Sequence, residues 1–488
     1  MHVHLFAVRS IAAAVTAAIA ALAAPALAQE TVVVRTNTFA TGPGAGPADT
    51  RYTGFLHSLT PTLPGAAYFE ALEPSSFRTG VLTNLDANGN LNAGDFDTYA
   101  RVVAAGATFE YVVSDAVYVA PSPINWPGGS TDVNYAAWES TLDAKIAAAL
   151  AAGGGAYFGR FDIWNEPDFS VGPGQYFWPD QTAAGRDRFF ETWRRAYVKI
   201  RAQLPDAKIV GPSMAMINGV DGSGTAYPNT GKFIHVNAFL DYAKANNVLP
   251  DIVAVHVFDK DLVGPNVDAV RASMAARGID RPVALNEYVG QQEQTRPGVL
   301  PHYFAAMRGR GVSYGIHATW NEPASEGGGD VGNTYNDSLN GLLTHDTKLP
   351  RSTWWVYKRY AEMVGSAVRI DPGTTITGLA SVDAAADQAT FLLGRDFNDN
   401  NGTTYLPPAG SPAAASLQVR GIAAALGVSV GTPLRLELQR IADSGYAAAP
   451  TPTSVVSTFN APSGAFTVAL PNFGWSDAYF VRITRNTP

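Results

Sequence analysis

The 488-residue chain contains no cysteine, which excludes disulfides and any thiolate-bound metal or redox centre. Charged residues are scarce, 16% against 46% hydrophobic, a balance that excludes intrinsic disorder and supplies a sizeable core. Basic runs are also missing. The 34 Lys and Arg are outnumbered by 42 Asp and Glu, for a net charge of −8, so the electrostatic footprint of a nucleic-acid binder is absent. No His and carboxylate set has metal-ligand spacing, and there is no P-loop, no G-x-G-x-x-G and no G-x-S-x-G around a credible nucleophile. The expectation is therefore an activity with no metal and no cofactor. Past the N-terminus no apolar run is long enough to cross a bilayer.

What is present begins with a leader. Arg9 precedes an apolar, alanine-rich stretch from Ile11 to Ala24, then Ala-Leu-Ala at 26–28, the pattern of a secretory signal peptide cleaved before Gln29. The stretch is short for a membrane anchor and ends in a small-residue cleavage site. Residues 1–28 are read as a signal peptide, and the mature protein is expected to be secreted or periplasmic.

From 51 to 365, short apolar runs alternate with helical patterns. Candidate strands are Gly54–His57, Ser76–Thr79, Glu110–Ser114, Phe161–Trp164, Lys208–Gly211, Ile252–His256, Val283–Asn286 and Tyr314–Ala318. Tyr135, Trp138, Leu142 and Ile146 recur at helical spacing, as do Phe189, Trp193, Tyr197, Ile200 and Leu204. Eight strand–helix repeats predict an α/β fold, a (β/α)8 TIM barrel. After Gly365 the pattern turns to short alternating strands (TFLLGRDF, LRLELQRI, FTVAL, DAYFVRITR) between Gly, Pro, Asn and Ser turns, so 366–488 is predicted to form a C-terminal antiparallel β-sandwich domain. Along Tyr479, Val481 and Ile483 the apolar side alternates with Arg482 and Thr484, as in a half-buried strand. Residues 29–50 are read as an N-terminal strand and linker, with TVVVR (31–35) able to pair into the sandwich. Pro407 to Ser416 reads as a flexible hairpin or insert.

Two strand ends carry chemistry. In FDIWNEPD (161–168) an apolar stub ends at Trp164, and Glu166 follows where barrel strands present catalytic groups. Pro167 cannot continue the ladder and marks the strand's end. In RPVALNEYVG (281–290) a second apolar strand delivers Glu287, three strands later. Strands four and seven face one another across an eight-stranded barrel, so the two carboxyls can meet over the cleft. Such a pair suits glycoside hydrolysis: one group protonates the leaving oxygen while the other attacks the anomeric carbon or activates water.

Trp164-Asn165-Glu166-Pro167 at the end of strand four, with a Glu at the end of strand seven, resembles the clan A glycoside hydrolases. Together with Asp168 and GFLHSL (54–59) it is most similar to glycoside hydrolase family 39, over roughly residues 50–365. The resemblance implies retention of anomeric configuration, Glu166 as acid/base, Glu287 as nucleophile, and Asn165 bonding the sugar 2-hydroxyl. By the same likeness Arg78 would hold the ionised Glu287. A nearby cation favours the carboxylate and depresses its pKa, while the bland reading of Arg78 is a surface ion pair. His57 and His256 match cleft histidines that touch substrate or nucleophile, although either could be a satisfied core group. Phe258 stands where the family often has Tyr, a loss for which Tyr288 is a candidate substitute. Trp320 would floor the sugar site by stacking.

Trp126 and Trp178, with Phe169, Tyr176 and Phe177, are candidate sugar platforms, or ordinary loop packing. Asn321-Glu322-Pro323 repeats the triplet but follows Glu287 and would require an unusual strand order. Trp354, Trp355, Tyr357 and Tyr360 fall on one helix and are read as core. The expected partner is a carbohydrate, an oligo- or polysaccharide. Two rivals remain: a polysaccharide lyase on a related barrel, and a catalytically silent polysaccharide-binding or exopolysaccharide-assembly protein.

Overall fold

The computed structural model describes residues 29–80, 96–114, 135–168, 183–217, 220–221, 235–318, 320, 337–396 and 414–486. Strand β1 (Gln29–Phe39) opens the chain. Strands β2 (Gly54–Leu56), β3 (Ser76–Thr79), β4 (Thr108–Val112), β5 (Arg160–Asp162) and β6 (Lys208–Met214) follow. A small hairpin, β7 (Met216–Ile217) with β8 (Val220–Asp221), precedes β9 (Ile252–Val257), β10 (Val283–Tyr288) and β11 (Gly315–His317). Eight of these close into a barrel in the order β10-β11-β2-β3-β4-β5-β6-β9, and every pairing in it is parallel.

All eight expected strands are present, the third and fourth starting slightly earlier than the sequence suggests and the fifth running on to Met214. They lack polar alternation because parallel strands bury both faces, one in the lumen and one under helices. Thus β9 (IVAVHV) and β10 (VALNEY) are buried along almost their whole length. The helical spacings become Tyr135–Ala152 and Ala183–Gln203, which bury Trp138, Leu142 and Ile146, and Phe189, Trp193 and Ile200. The aromatic run near 355 lies on Ser352–Ala361, with Trp354, Tyr357 and Tyr360 buried as expected of core.

The C-terminal strands are β12 (Ser366–Asp371), β13 (Ile376–Asp383), β14 (Gln388–Arg395), β15 (Ala414–Arg420), β16 (Pro433–Ile441), β17 (Ser454–Asn460), β18 (Ala465–Leu470) and β19 (Ala478–Arg485). With β1 they form a curled nine-stranded sheet, β17-β16-β19-β14-β13-β12-β1-β15-β18, which folds into a β-sandwich. Strand β12 turns the corner: its start pairs with β13 and its end with β1. Val32, Val34, Leu417, Val419 and Val468 on one side meet Phe391, Leu393, Val481 and Ile483 on the other. The N-terminal strand is thus an inner strand, parallel to β15 and antiparallel to β12. Ala414–Ser416, expected in a flexible insert, instead begins β15; 407–413 lie outside the described residues.

One expectation about the sandwich needs correction. Strand β19 alternates as expected from Val481 to Thr484, with Arg482 and Thr484 partly exposed, but at Phe480 its second face is buried as well. Phe480, between Tyr479 and Val481, joins Leu379, Leu392 and Ile441 in the same apolar cluster as the barrel residues Phe304 and Tyr357. The helices Val299–Gly309 and Ser352–Ala361 cover this part of the sheet's outer face, at β13, β14 and β16. At this seam a Cβ on Gly298 would stand 2.3 Å from the Arg395 carbonyl oxygen, an approach only glycine permits.

Candidate active site

The central site residues among those described, Arg78, Asn165, Glu166, His256 and Glu287, are placed by the ends of barrel strands. Arg78 sits near the end of β3 and is only 1% exposed, so it is no surface ion pair. Its Nη1 donates to Glu287 Oε1 at 2.7 Å and its Nη2 to Asn165 Oδ1 at 2.7 Å. Its Nε and Nη2 also donate to Asp162 Oδ2, at 3.1 and 2.6 Å. Asn165 and Glu166 follow β5. The Asn165 backbone N–H donates to Ser114 Oγ and that of Glu166 to the Ser213 carbonyl. Glu166 has φ +46°, a conformation disfavoured for a residue with a side chain and found where surrounding structure over-determines it.

Glu287 reaches the lumen by an irregularity in β10. Leu285 is opposite Val255 and Glu287 is opposite His256, so two residues of β10 face one of β9. The extra residue, a β-bulge, lets Asn286 and Glu287 both turn toward the site. Asn286 Nδ2 donates to Asp162 Oδ2 (3.0 Å) and Ser213 Oγ (2.8 Å). Strand β6 has a matching shift, Pro212 opposite Ala254 and Met214 opposite Val255, with Ser213 between them at φ +53°.

His256, fully buried at the end of β9, joins the two carboxylates. Its Nδ1 lies 2.8 Å from Glu166 Oε1 and 3.9 Å from Glu287 Oε2. One ligand atom from each of Glu166, His256 and Glu287 lies within 4.8 Å of the others. That spacing would also suit a divalent cation. The Arg78 guanidinium on Glu287 already supplies the counter-charge, so the set reads as an acid–base pair.

Burial pushes the Glu166 carboxyl up to about 7, with Arg78 pulling the other way. Glu287 is also raised, burial outweighing His256 and Arg78. This corrects the expectation of a depressed value: Arg78 is in place, but its charge is divided between Glu287 and Asp162. Burial lowers His256 to about 4 and His57 to about 3, so both are neutral near pH 7.

No protein-family model matches the sequence, and no curated protein matches it. Solved structures do. N2152 from Neocallimastix frontalis is similar with a TM-score of 0.70 at 21% identity, over 94% of this chain and 100% of that one. A glucosidase from Croceicoccus marinus gives 0.64 at 14%, again over 94% and 100%. A GH39 β-xylosidase from Caulobacter crescentus gives 0.59 at 14%, over 93% and 99%. These likenesses establish the fold.

The remaining candidates fall in three groups. His57 and Trp320 lie at the mouth. His57 Nδ1 is 3.0 Å from Thr79 Oγ1, and its backbone N–H donates to the Arg78 carbonyl. Trp320, half-buried, donates from its indole to the Val289 carbonyl at 2.9 Å and meets Phe258 edge-on, ring centres 4.9 Å apart. Gly290 is required there, since a Cβ would come 2.2 Å from the Phe258 carbonyl oxygen. Tyr288 is the correction. It is fully buried on the helix side of β10, its hydroxyl bonded to the Tyr52 carbonyl (2.7 Å) and the Tyr357 hydroxyl (2.5 Å). Successive strand residues point to opposite faces, so with Glu287 turned in, Tyr288 turns out and replaces no cleft hydroxyl. Trp126, Trp178, Phe169, Tyr176, Phe177 and the 321–323 triplet lie outside the described residues.

Sequence reasoning missed the layer beneath the carboxylates. Asp162, Glu110, Ser213 and Asn286 are all 0% exposed. Glu110 accepts from Tyr314 at 2.6 Å and lies 3.4 Å from Arg78 Nε. The available signal was a charged residue inside an apolar strand, in TFEYV and in RFD, because a charge in a barrel strand has to find a buried partner.

Proposed function

We propose that the chain is a retaining glycoside hydrolase that cleaves a β-linked glycan or glycoside by double displacement, Glu166 being the acid/base and Glu287 the nucleophile. The observation that carries this reading is the carboxylate pair, within 4.8 Å across the mouth and set in unlike surroundings. Arg78 donates to Glu287, whereas the side-chain hydrogen-bond partner of Glu166 among the described residues is the neutral imidazole of His256. Unlike environments separate the roles of two carboxyls. Glu287 attacks the anomeric carbon while Glu166 protonates the departing oxygen. Glu166, now a base, then takes a proton from the water that opens the glycosyl-enzyme ester. A carboxyl near 7 suits both duties at neutral pH. Asn165, held through its carbonyl by Arg78, keeps its amide N–H groups for the sugar 2-hydroxyl.

Family 39 kinship belongs to this proposal, as does export through the 1–28 leader. Similar solved structures include a β-xylosidase, a bifunctional glucanase-xylanase and a xyloglucanase, so β-xylosides, β-glucosides and their polymers are the first substrates to try. The test is proton NMR of the first product. The β-anomer appearing first is expected, and the α-anomer first would overturn retention. An unsaturated, ultraviolet-absorbing product would favour the lyase reading, and no turnover on any polymer would favour a binding protein.

A further inference from the structure

Asp162 is fully buried beneath the cleft, and its Oδ2 accepts four hydrogen bonds there. That one oxygen accepts from Arg78 Nε and Nη2, from Ser213 Oγ at 2.9 Å and from Asn286 Nδ2. Two of these donors, Ser213 and Asn286, are the residues that the irregularities in β6 and β10 turn inward. Asp162 Oδ1 has no hydrogen-bond partner among the described residues.

We propose that Asp162 is a positioning residue, acting through Arg78: by holding the Nε/Nη2 edge of the guanidinium it fixes the plane in which Asn165 takes the second Nη2 hydrogen, and the two together leave Glu287 the Nη1 donor alone from this arginine. The inference rests on Glu287 being the nucleophile. A guanidinium facing a carboxylate alone pairs with it through two parallel bonds. Such a fork would over-stabilise the Glu287 anion and blunt its attack. With Asp162 holding one edge and Asn165 taking the remaining Nη2 hydrogen, Glu287 receives only Nη1 from this guanidinium. One arginine therefore sets the basicity of the nucleophile and the aim of the amide that meets the sugar. The charged groups facing Glu287 or Asp162 are Arg78 and Glu110 from the inner strands, Glu166 after β5, and the titratable His256 of β9.

The test is Asp162→Asn, which keeps shape and one acceptor while removing the charge. Inactivation by dinitrophenyl 2-deoxy-2-fluoro-β-xyloside and the corresponding glucoside is followed against pH, and the labelled peptide is mapped. Wild type should be labelled on Glu287. In the variant the acidic limb should move down by about one pH unit and the maximal inactivation rate should fall about tenfold, with reagent affinity within about twofold. Ser213→Ala, which removes one anchoring bond and no charge, should move both readings the same way by less, and it carries the test if Asp162→Asn does not fold. A lower melting temperature with an unmoved limb and rate would make Asp162 merely structural and overturn the proposal. Failure to label Glu287 in wild type is a different result: it removes the nucleophile assignment itself, and this inference with it.

Discussion

His256 Nδ1 stands 2.8 Å from Glu166 Oε1 and 3.9 Å from Glu287 Oε2, so one neutral ring touches the proposed acid and reaches toward the proposed nucleophile. Its neutrality matters. A charged imidazolium would stabilise the Glu166 anion and pull that carboxyl down, away from neutral pH. The geometry departs from the sequence expectation in a useful way, since the histidine favours the acid/base over the nucleophile.

The two glutamates should fail differently. Glu287→Ala is expected to abolish turnover on every substrate. Glu166→Ala should lose about 10²- to 10⁴-fold on unactivated glycosides and far less on aryl glycosides with good leaving groups. Azide should restore the Glu166→Ala variant and give a β-glycosyl azide, detectable by mass and NMR. Equal losses on both substrate types in both variants would contradict the assignment.

Stability should carry the signature of Glu166. Its folded pKa of about 7 lies above the ordinary 4.5, so the folded form binds more protons in between. The associated stability is fully present below about pH 4.5 and is lost as pH rises through 7. Glu166→Gln, which cannot ionise, should melt with wild type at pH 4 and above it at pH 8. The cleft leaves the Glu166 side chain 21% exposed, and solvent screening trims the difference. In wild type, kcat/KM should decline on the alkaline side near the same pH.

Tyr288→Phe separates a core tyrosine from a substrate-binding one. Removing the hydroxyl breaks its bonds to Tyr52 and Tyr357 and should cost about 1–2 kcal/mol in urea unfolding. Neither kcat nor KM should change by more than about twofold. A several-fold rise in KM alone would return Tyr288 to the cleft.

Glu30 should matter more than its place near the N-terminus suggests. Its carboxylate accepts from the Thr375 backbone N–H (2.5 Å), the Thr375 hydroxyl and the Ile376 N–H (3.1 Å), with Arg395 3.9 Å away. Glu30→Ala would strand buried donors at about 1–3 kcal/mol each, visible as a lower denaturation midpoint. Deleting 29–39 should leave the chain insoluble, because β12 and β15 would each face water along an unpaired edge.

The sequence by itself determined the eight barrel strands, the aromatic helix faces and the two glutamates at strand ends. Each is a local signal: an apolar run, a helical repeat, or a polar residue where a run stops. Arg78, Asn165 and His256 were legible in the same way, as polar residues at the ends of apolar strands. Only the tertiary structure decided which side chains face inward. One extra residue at Asn286 reverses the alternation, bringing Glu287 to Arg78 and sending Tyr288 to the core. Nor could one strand reveal that Asp162 anchors Arg78 from 84 residues away in sequence. Burial then set the carboxyl pKa values, because desolvation depends on what closes over a group and not on its neighbours in the chain. The burial of Phe480 on the outer side of β19 has the same origin: it is apolar for the sake of the barrel residues it packs against, Phe304 and Tyr357 among them.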